Sequence, residues 1–596
     1  MKHSKITRTL SRMIRISTAA ALLACLLAVT QPARADTVIV VENTDNTGPG
    51  SLRYAILGAY LDPTPNIITF DESLNGIPIV LAGPAGEDGN VSGDLDVKDG
   101  GDLTIQGNGT ENTIIEGGGV DRVFHICPGY GCTNTVTLSG MTIKNGNANG
   151  GGIFNEGGML KVVGSTIRDN TGNYGGGIYN QLTGTVIVNA STIRDNTAIY
   201  GGGIFNKATL TVLNGSAIGR ADTGNTATDG GGIYNQLNAT TTINGSTVSA
   251  NTATAEGGGI YNNTGGYVTV NASTVSANRA YDGPGIYNTG TLIVRNGSTI
   301  GGTGVGNEGT DSFSVGGGIY NDSGGTATVD GSNVSANTAW SGGGVENRGT
   351  LTVTNSTIGG TGAGNITMGY GGGITNRIGG TTTVDGSTLS ANTAEFGGGI
   401  YNQATLDVRN GSTIGGAGAG NQGIGSLSSG GGIYNLGGTT TVDDSTVSAN
   451  TAKNGAGISN QGSLIVTNST IGGAGAANQA TIWGGGIYNY AGTTTVMGSC
   501  ILNNWATING GGLYNDENFF GATIVTGSSI VGNSATSFFN NQETAEQIAT
   551  GNWWGAATGP NKPGADTVDG NVDTGGYLTE PISACLTNIY LPLVRK

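Results

Sequence analysis

The chain has 596 residues, 114 of them glycine, and only 11% of its side chains are charged. Glycine at ~7% is usual, so an ordinary globular core is excluded and a glycine-punctuated repeat is indicated. The 40 acidic against 24 basic side chains give a formal net charge of −16, which argues against nucleic acid and anionic membranes as partners.

Residues 1–35 read as a secretory signal peptide. Lys2, Lys5, Arg8, Arg12 and Arg15 form its basic region, Ala19 to Thr30 its apolar run, and Ala33-Arg34-Ala35 its cleavage site. The apolar run is too short to span a bilayer, and no other segment is suited to it. A secreted or cell-surface protein with no transmembrane segment in the mature chain is expected.

Residues 36–149 read as an N-terminal cap followed by the first irregular coils. Ser51 is placed to N-cap a short helix running through Leu61 and ending before Pro63. Such a helix would cover the unpaired backbone of a first coil. The stretch Gly50-Ser51-Leu52-Arg53-Tyr54-Ala55-Ile56 resembles the CSLREAI-type region at the start of bacterial surface β-helices, with Gly50 and Tyr54 departing from it. Cys127 and Cys132 bracket a Pro-Gly-Tyr-Gly loop that a disulfide would close; Cys500 and Cys585 offer a second bridge. His125 stands alone in the sequence and reads as structural. With only two histidines in the chain no zinc site is expected, so the metal assignment is none.

Residues 150–545 are dominated by one motif. Gly175-Gly176-Gly177-Ile178-Tyr179-Asn180 and near copies recur fourteen times between Ile153 and Leu513, at spacings of 25 to 33 residues. A period of this size indicates a solenoid. Within a unit, Leu406, Val408 and Ile414 alternate with polar residues, the period of a strand with one buried face. Short strands separated by glycine and asparagine corners make one coil of a parallel β-helix. The expected fold is therefore all-β, a right-handed parallel β-helix of about 14 regular coils with irregular end coils and caps, forming a rod of roughly 65–70 Å. Ile178 should point inward and Tyr179 outward, with Asn180 at the bend bonding its equivalent one coil along. A second asparagine recurs at Asn170, Asn196, Asn251, Asn278, Asn337, Asn392 and Asn450, and should form a further ladder.

The Gly-Gly-x-Ile and apolar-x-x-Asn pattern resembles the polymorphic outer-membrane protein repeat of bacterial surface proteins. Here Gly177, Gly203 and Gly259 stand where alanine is usual, and Ile167 and Val248 where phenylalanine is usual. The resemblance implies a right-handed β-helix exposed at the cell surface or secreted, with adhesin-like relatives. Longer units should extend loops such as 306–315 and 420–429 to one side.

Residues 546–596 read as a C-terminal cap and tail. Asn552-Trp553-Trp554-Gly555 resembles a motif that closes bacterial parallel β-helices, with Trp553 and Trp554 shielding the last coil. Too little chain follows Trp554 for a membrane barrel.

Sites of chemistry are sparse in this reading. Asp330, Asp385 and Asp443 recur at one repeat position but fall two coils apart, too far for paired carboxylates. Arg168-Asp169 and Arg194-Asp195 read as exposed ion pairs. Asp566, Asp569 and Asp573 offer a calcium site, though without a calcium-loop pattern. No catalytic residue is assigned, and no cofactor other than that calcium. The outward aromatic column, with Tyr179, Tyr234, Tyr261, Tyr287 and Tyr320 as ligand-contacting residues, points to an adhesin-like or structural binding role toward a glycan or a cell-surface protein, with the chain a monomer. The alternative is a polysaccharide lyase or glycoside hydrolase. That alternative calls for a break in repetition gathering acids and a base on adjacent coils, and none is legible.

Overall fold

A computed structural model describes residues 37–586, apart from 87, 130, 517–520, 535 and 542–545. The signal-peptide segment and the end of the tail lie outside the described residues. The chain winds into a right-handed parallel β-solenoid of about 19 turns. The expectation of about 14 falls short because it counts glycine motifs only. Strands Thr37–Val41, Asn66–Phe70, Leu103–Gln106 and Thr135–Ser139 belong to the same 20-stranded sheet as the repeats without carrying the motif, as do Gln547–Ile548 and Val572–Asp573 at the other end. At about 4.8 Å per coil the rod is roughly 90 Å long.

Each coil has up to four sides. The first holds strands such as Ile178–Asn180, the second five-residue strands such as Thr185–Asn189, and the third strands such as Thr192–Arg194. The fourth is an 11-stranded sheet of mostly two-residue strands from Thr226–Ala227 to Trp505–Ala506. Equivalent residues pair in register: Ile178 lies between Ile153 and Ile204, and Ile193 between Ile167 and Ile218. Ile178, Val186, Val188 and Ile193 are fully buried, so each coil sends four apolar side chains into the central column. Full burial of such a side chain stabilises by roughly 1.5–3 kcal/mol, and register fixes who meets whom.

The glycine triplet has a steric cause. Gly175 has φ +62°, and a Cβ there would lie 2.1 Å from the Ile178 carbonyl oxygen. At Gly176 and Gly177 a Cβ would stand 2.6 Å from carbonyl oxygens of the next coil, those of Thr197 and Gly203. The first glycine thus answers to dihedral angle and the other two to close approach of neighbouring backbones.

Three polar ladders run inside the rod. Asn155 Nδ2 donates to Asn180 Oδ1, which belongs to the residue that donates in turn to Asn206, and the series continues to Asn540. A second runs Asn170, Asn196, Asn225, Asn251, Asn278, Asn307, Asn337 and onward to Asn533. It takes in Asn225 and Asn307, which lie beyond the glycine-rich insertions that hid them in the sequence. The third joins serines, each backbone N–H donating to the Oγ one coil along, as in Ser165 to Ser191 and Ser191 to Ser216. All three donate toward the C-terminal end. There Asp566 Oδ2 receives the amide of Asn533, and Asn552 Oδ1 receives the N–H of Ser528.

The N-terminal helix α1 (Leu52–Leu61) is capped by Ser51 Oγ, which accepts from the Tyr54 N–H. It buries Leu52, Ala55, Ile56 and Ala59 in the end of the column. At the far end Trp554 is fully buried within the same apolar core and Trp553 nearly so. Disulfides join Cys127 to Cys132 and Cys500 to Cys585; the second fastens the tail to a late coil through a small cluster with Leu502, Val531 and Ile582.

Candidate functional site

On the first side, the residue after each column isoleucine faces away from the core. Register places Asp96, His125, Phe154, Tyr179, Phe205, Tyr234, Tyr261, Tyr287 and Tyr320 in one file, followed by Glu346, Thr375 and Tyr401. The tyrosines face away from the core as expected, but they are not open to solvent along the whole column. Tyr179, Tyr287 and Tyr320 are buried, at 5%, 6% and 3% exposure, while Tyr234 and Tyr261 are half-buried. A second file five residues upstream covers them: Tyr174, Tyr200 and Asp229 bridge coil to coil, as do Glu256 and Asp282, and the Glu256 N–H donates to Asp229 Oδ1 at 3.3 Å. Tyr174 packs on Tyr179 and Phe205, and Tyr200 on Tyr234.

The rings of Tyr234 and Tyr261 stack at 4.5 Å and 6°, and those of Tyr261 and Tyr287 at 5.0 Å and 12°. Their faces are therefore occupied by each other, and hydroxyls and ring edges are what remains for contact. Tyr287 and Tyr320 both donate their hydroxyls to Asp322, at 2.9 and 3.2 Å. Asp229, Glu256 and Asp282 follow one another on consecutive coils, with the Arg348 charge acting on Asp282. Burial, reinforced by Asp229 and Asp282, pushes the Glu256 carboxyl up to about 7; burial lifts Asp282 to about 6 and raises Asp229. Burial and the same carboxylates push the Tyr234 phenol up to about 12.

The aromatic file breaks at Glu346 and Thr375, and there Glu346 meets one base, Arg377, from the adjacent coil. Glu346 is fully buried; its carboxylate accepts from Arg377 Nε at 2.7 Å and from Ser341 Oγ at 2.7 Å. Arg377 lies over the rings of Tyr370 and Tyr401. One acid paired with one base is less than the gathering of acids and a base that the enzymatic alternative calls for. The buried Glu346 charge is thereby paired and hydrogen-bonded.

The expectation that His125 is isolated is overturned. Asp96 lies beside it in register, and Asp88, Asp94, Asp121, Arg122 and Glu156 surround them. His125 stacks on Phe154 at 5.0 Å and so heads the aromatic file. Its Nδ1 is 3.2 Å from Asp96 Oδ1, 3.3 Å from Asp88 Oδ1 and 3.2 Å from Arg122 Nη2, and its Nε2 is 3.0 Å from Glu156 Oε2. Arg122 Nε bonds Asp94, and Arg53 bonds the backbone carbonyls of Gly93 and Asp94. Burial above all, set against Arg122, pushes the Asp94 carboxyl up to about 7. Among the described residues, Asp88, Asp96 and His125 are the group whose ligand atoms converge, all within 4.8 Å of one another.

The remaining candidates do not assemble. Asp330 and Asp385 are separated in register by Thr354, two coils apart as expected. Asp566 accepts from the backbone of Gly532 and Asn533, from Asn533 Nδ2 and from Ser537 Oγ, so its oxygens close the ladder end. Asp569 and Asp573 accept from the N–H groups of Gly570 and Gly575. Arg168 pairs with Asp169, and Arg194 with Asp195, on neighbouring coils. Glycine-rich loops two coils apart enclose a groove of about 490 Å³ lined by Gly418, Gly420, Ala449, Gly473 and Gly475, with no charged side chain.

No protein family matches the chain, and no curated protein matches it. Among solved structures, ORF18 of Geobacillus virus E2 aligns with 82% of this chain at 10% identity and a TM-score of 0.17, and the alignment spans 61% of the viral protein's length. The A-module of the Azotobacter vinelandii mannuronan C-5 epimerase AlgE6 aligns with 90% of this chain and 97% of its own, at 10% identity and a TM-score of 0.15. The PL6 family alginate lyase AlyGC aligns with 91% of this chain and 100% of its own, at 9% identity and a TM-score of 0.16. At these values none of the three adds to what the strands and their register show.

Proposed function

We propose that this chain is a secreted or surface-displayed binding scaffold of adhesin-like character. Its ligand lies along the flank from Asp229 to Asp322, where Tyr234 and Tyr261 are half-buried beside a file of carboxylates. The observation that carries the reading is that Asp229, Glu256 and Asp282 stand on three consecutive coils, their carboxyls raised by burial and that of Glu256 also by its two neighbours, with Arg348 opposing the rise only at Asp282. Because the ring faces are taken up by stacking, contact is through phenol hydroxyls and carboxyl groups repeating at about 4.8 Å. That surface suits a hydroxyl- or amine-bearing glycan, or a basic segment of a cell-surface protein, and disfavours a polyanion. Two disulfides fit an oxidising compartment outside the cytoplasm.

The test is binding of the purified chain to neutral, amino and acidic glycans and to basic peptides, alongside the triple variant Asp229→Asn, Glu256→Gln, Asp282→Asn. The variant is expected to lose about tenfold or more in affinity, equivalent to ~1.4 kcal/mol. Equal binding by the variant would remove the flank from the reading. Release of new reducing ends or of unsaturated sugars from any polysaccharide would replace the whole reading with an enzymatic one.

A further inference from the structure

We infer that Asp88, Asp96 and His125 form a binding site for a divalent transition-metal ion of the zinc, cobalt or manganese class. Arginine can only donate, so Arg122 Nη2 at 3.2 Å assigns the lone pair to His125 Nδ1, and Nε2–H then donates to Glu156 at 3.0 Å. The Nδ1 lone pair thereby faces carboxylate oxygens of Asp96 and Asp88 at 3.2 and 3.3 Å. Three electron-rich atoms thus converge, and the Arg122 Nη2 that offsets their repulsion reaches Nδ1 at 3.2 Å and Asp88 at 3.4 Å but bonds neither oxygen of Asp96.

A second observation points the same way. Asp94 and Asp96 are 0% and 1% exposed, and Oδ1 of each has no hydrogen-bond partner. Asp96 Oδ1 lies off the line of a hydrogen bond to His125 although it is within reach. An unpartnered buried carboxylate oxygen is costly, and a bound cation removes the cost. The excess of charge is local: Asp88, Asp94, Asp96, Asp121 and Glu156 outnumber Arg53 and Arg122. Arg122 would keep Asp94 through Nε and give up its Nη2 contacts with His125 Nδ1 and Asp88.

The donor set selects the ion. An imidazole nitrogen with two carboxylates suits zinc, cobalt or manganese, whereas calcium takes oxygen ligands. Glu156 holding the far ring nitrogen is the carboxylate–histidine arrangement that orients a metal-bound imidazole. Asp88 is exposed, which gives the ion a way in from solvent.

The full chain, made without a histidine tag and stripped with a chelator, would be titrated with Co²⁺ followed by its visible absorption, then with Zn²⁺ in competition. One ion per chain is expected. Asp88→Asn should weaken binding about tenfold or more, and His125→Gln should abolish it. Asp88 is at the surface, so its variant should keep the metal-free melting temperature, which separates lost ligation from lost folding. A variant His3→Ala should bind as the original does. The assignment fails if no ion is retained, if both ligand variants bind unchanged, or if Ca²⁺ alone binds; retention of none would mean that a proton on Nδ1 takes the cation's place.

Discussion

At the scale of single residues, the amide ladders decide whether a coil stays in place. Asn278 accepts from the N–H and Nδ2 of Asn251 and donates to Val248 O and Asn307 Oδ1, all buried. Asn278→Ala removes these bonds together, and each buried group left unpaired costs about 1–3 kcal/mol. The expected loss is about 3 kcal/mol or more, with denaturant melting splitting into two transitions, because neighbouring coils couple only to one another. A single unshifted transition would show that solvent replaces the ladder. The members at Asn170, Asn196, Asn251 and Asn278 were legible because each follows an apolar residue by three. Asn307 was not, since Gly301 to Gly306 intervene and only the folded register shows that the insertion bulges while the amide keeps its place. The serine ladder was illegible for another reason: serine at a corner reads as a turn residue, and nothing in its spacing announces that its hydroxyl serves the coil below.

The element that most needs its environment stated is the file Asp229, Glu256 and Asp282. Their carboxyls hold protons more tightly when folded than when unfolded, with Glu256 at about 7 against an ordinary 4.5. The folded state therefore gains protons relative to the unfolded one in that window, and stability falls as pH rises through it. The chain is expected to melt higher at about pH 5 than at pH 7.5, and Glu256→Gln should flatten that slope. An identical slope in the variant would assign the dependence elsewhere. The strand that carries the tail makes a second case. Cys585→Ser frees the tail from Cys500 while every ladder stays intact, so limited proteolysis should cut near residues 556–585 and leave the remaining coils whole. Resistance equal to that of the unaltered chain would show that Trp553 and Trp554 hold the tail unaided. The tyrosine strands were read correctly as alternating, since Ile178 points inward. What alternation could not reveal was the covering file at Tyr174 and Tyr200, which belongs to a bend with no strand pattern of its own. In the same way Asp96 and His125 escaped notice: Leu95-Asp96-Val97 and Phe124-His125-Ile126 have the strand but not the glycine approach, and only pairing with Phe154 ranks them with the tyrosines.

At the scale of the whole molecule, a solenoid has two ends to protect and little else that is irregular. Removal of residues 36–62 takes away α1 and the first strand and bares a parallel edge. Concentration-dependent association in sedimentation is the expected result, and a stable monomer would show that the next coil guards its own edge. The repeat made the architecture legible in advance because identical units enforce identical pairing. The number of coils was not, since end coils keep the geometry and abandon the motif once their neighbours no longer repeat.

The ladders carry one more consequence. Every asparagine amide in both series is oriented alike, hydrogens facing the tryptophan end and oxygens facing the helix end, and the serine series agrees. Summed over the rod, these small dipoles make an arrow, with Asp566 as the negative group that its tip calls for. Two uncapped rods could then extend one another only nose to tail, because like ends would set hydrogens against hydrogens. Any filament grown from trimmed chains should accordingly lengthen with a single sense, and a ligand lying alongside would meet a surface on which forward and backward are different.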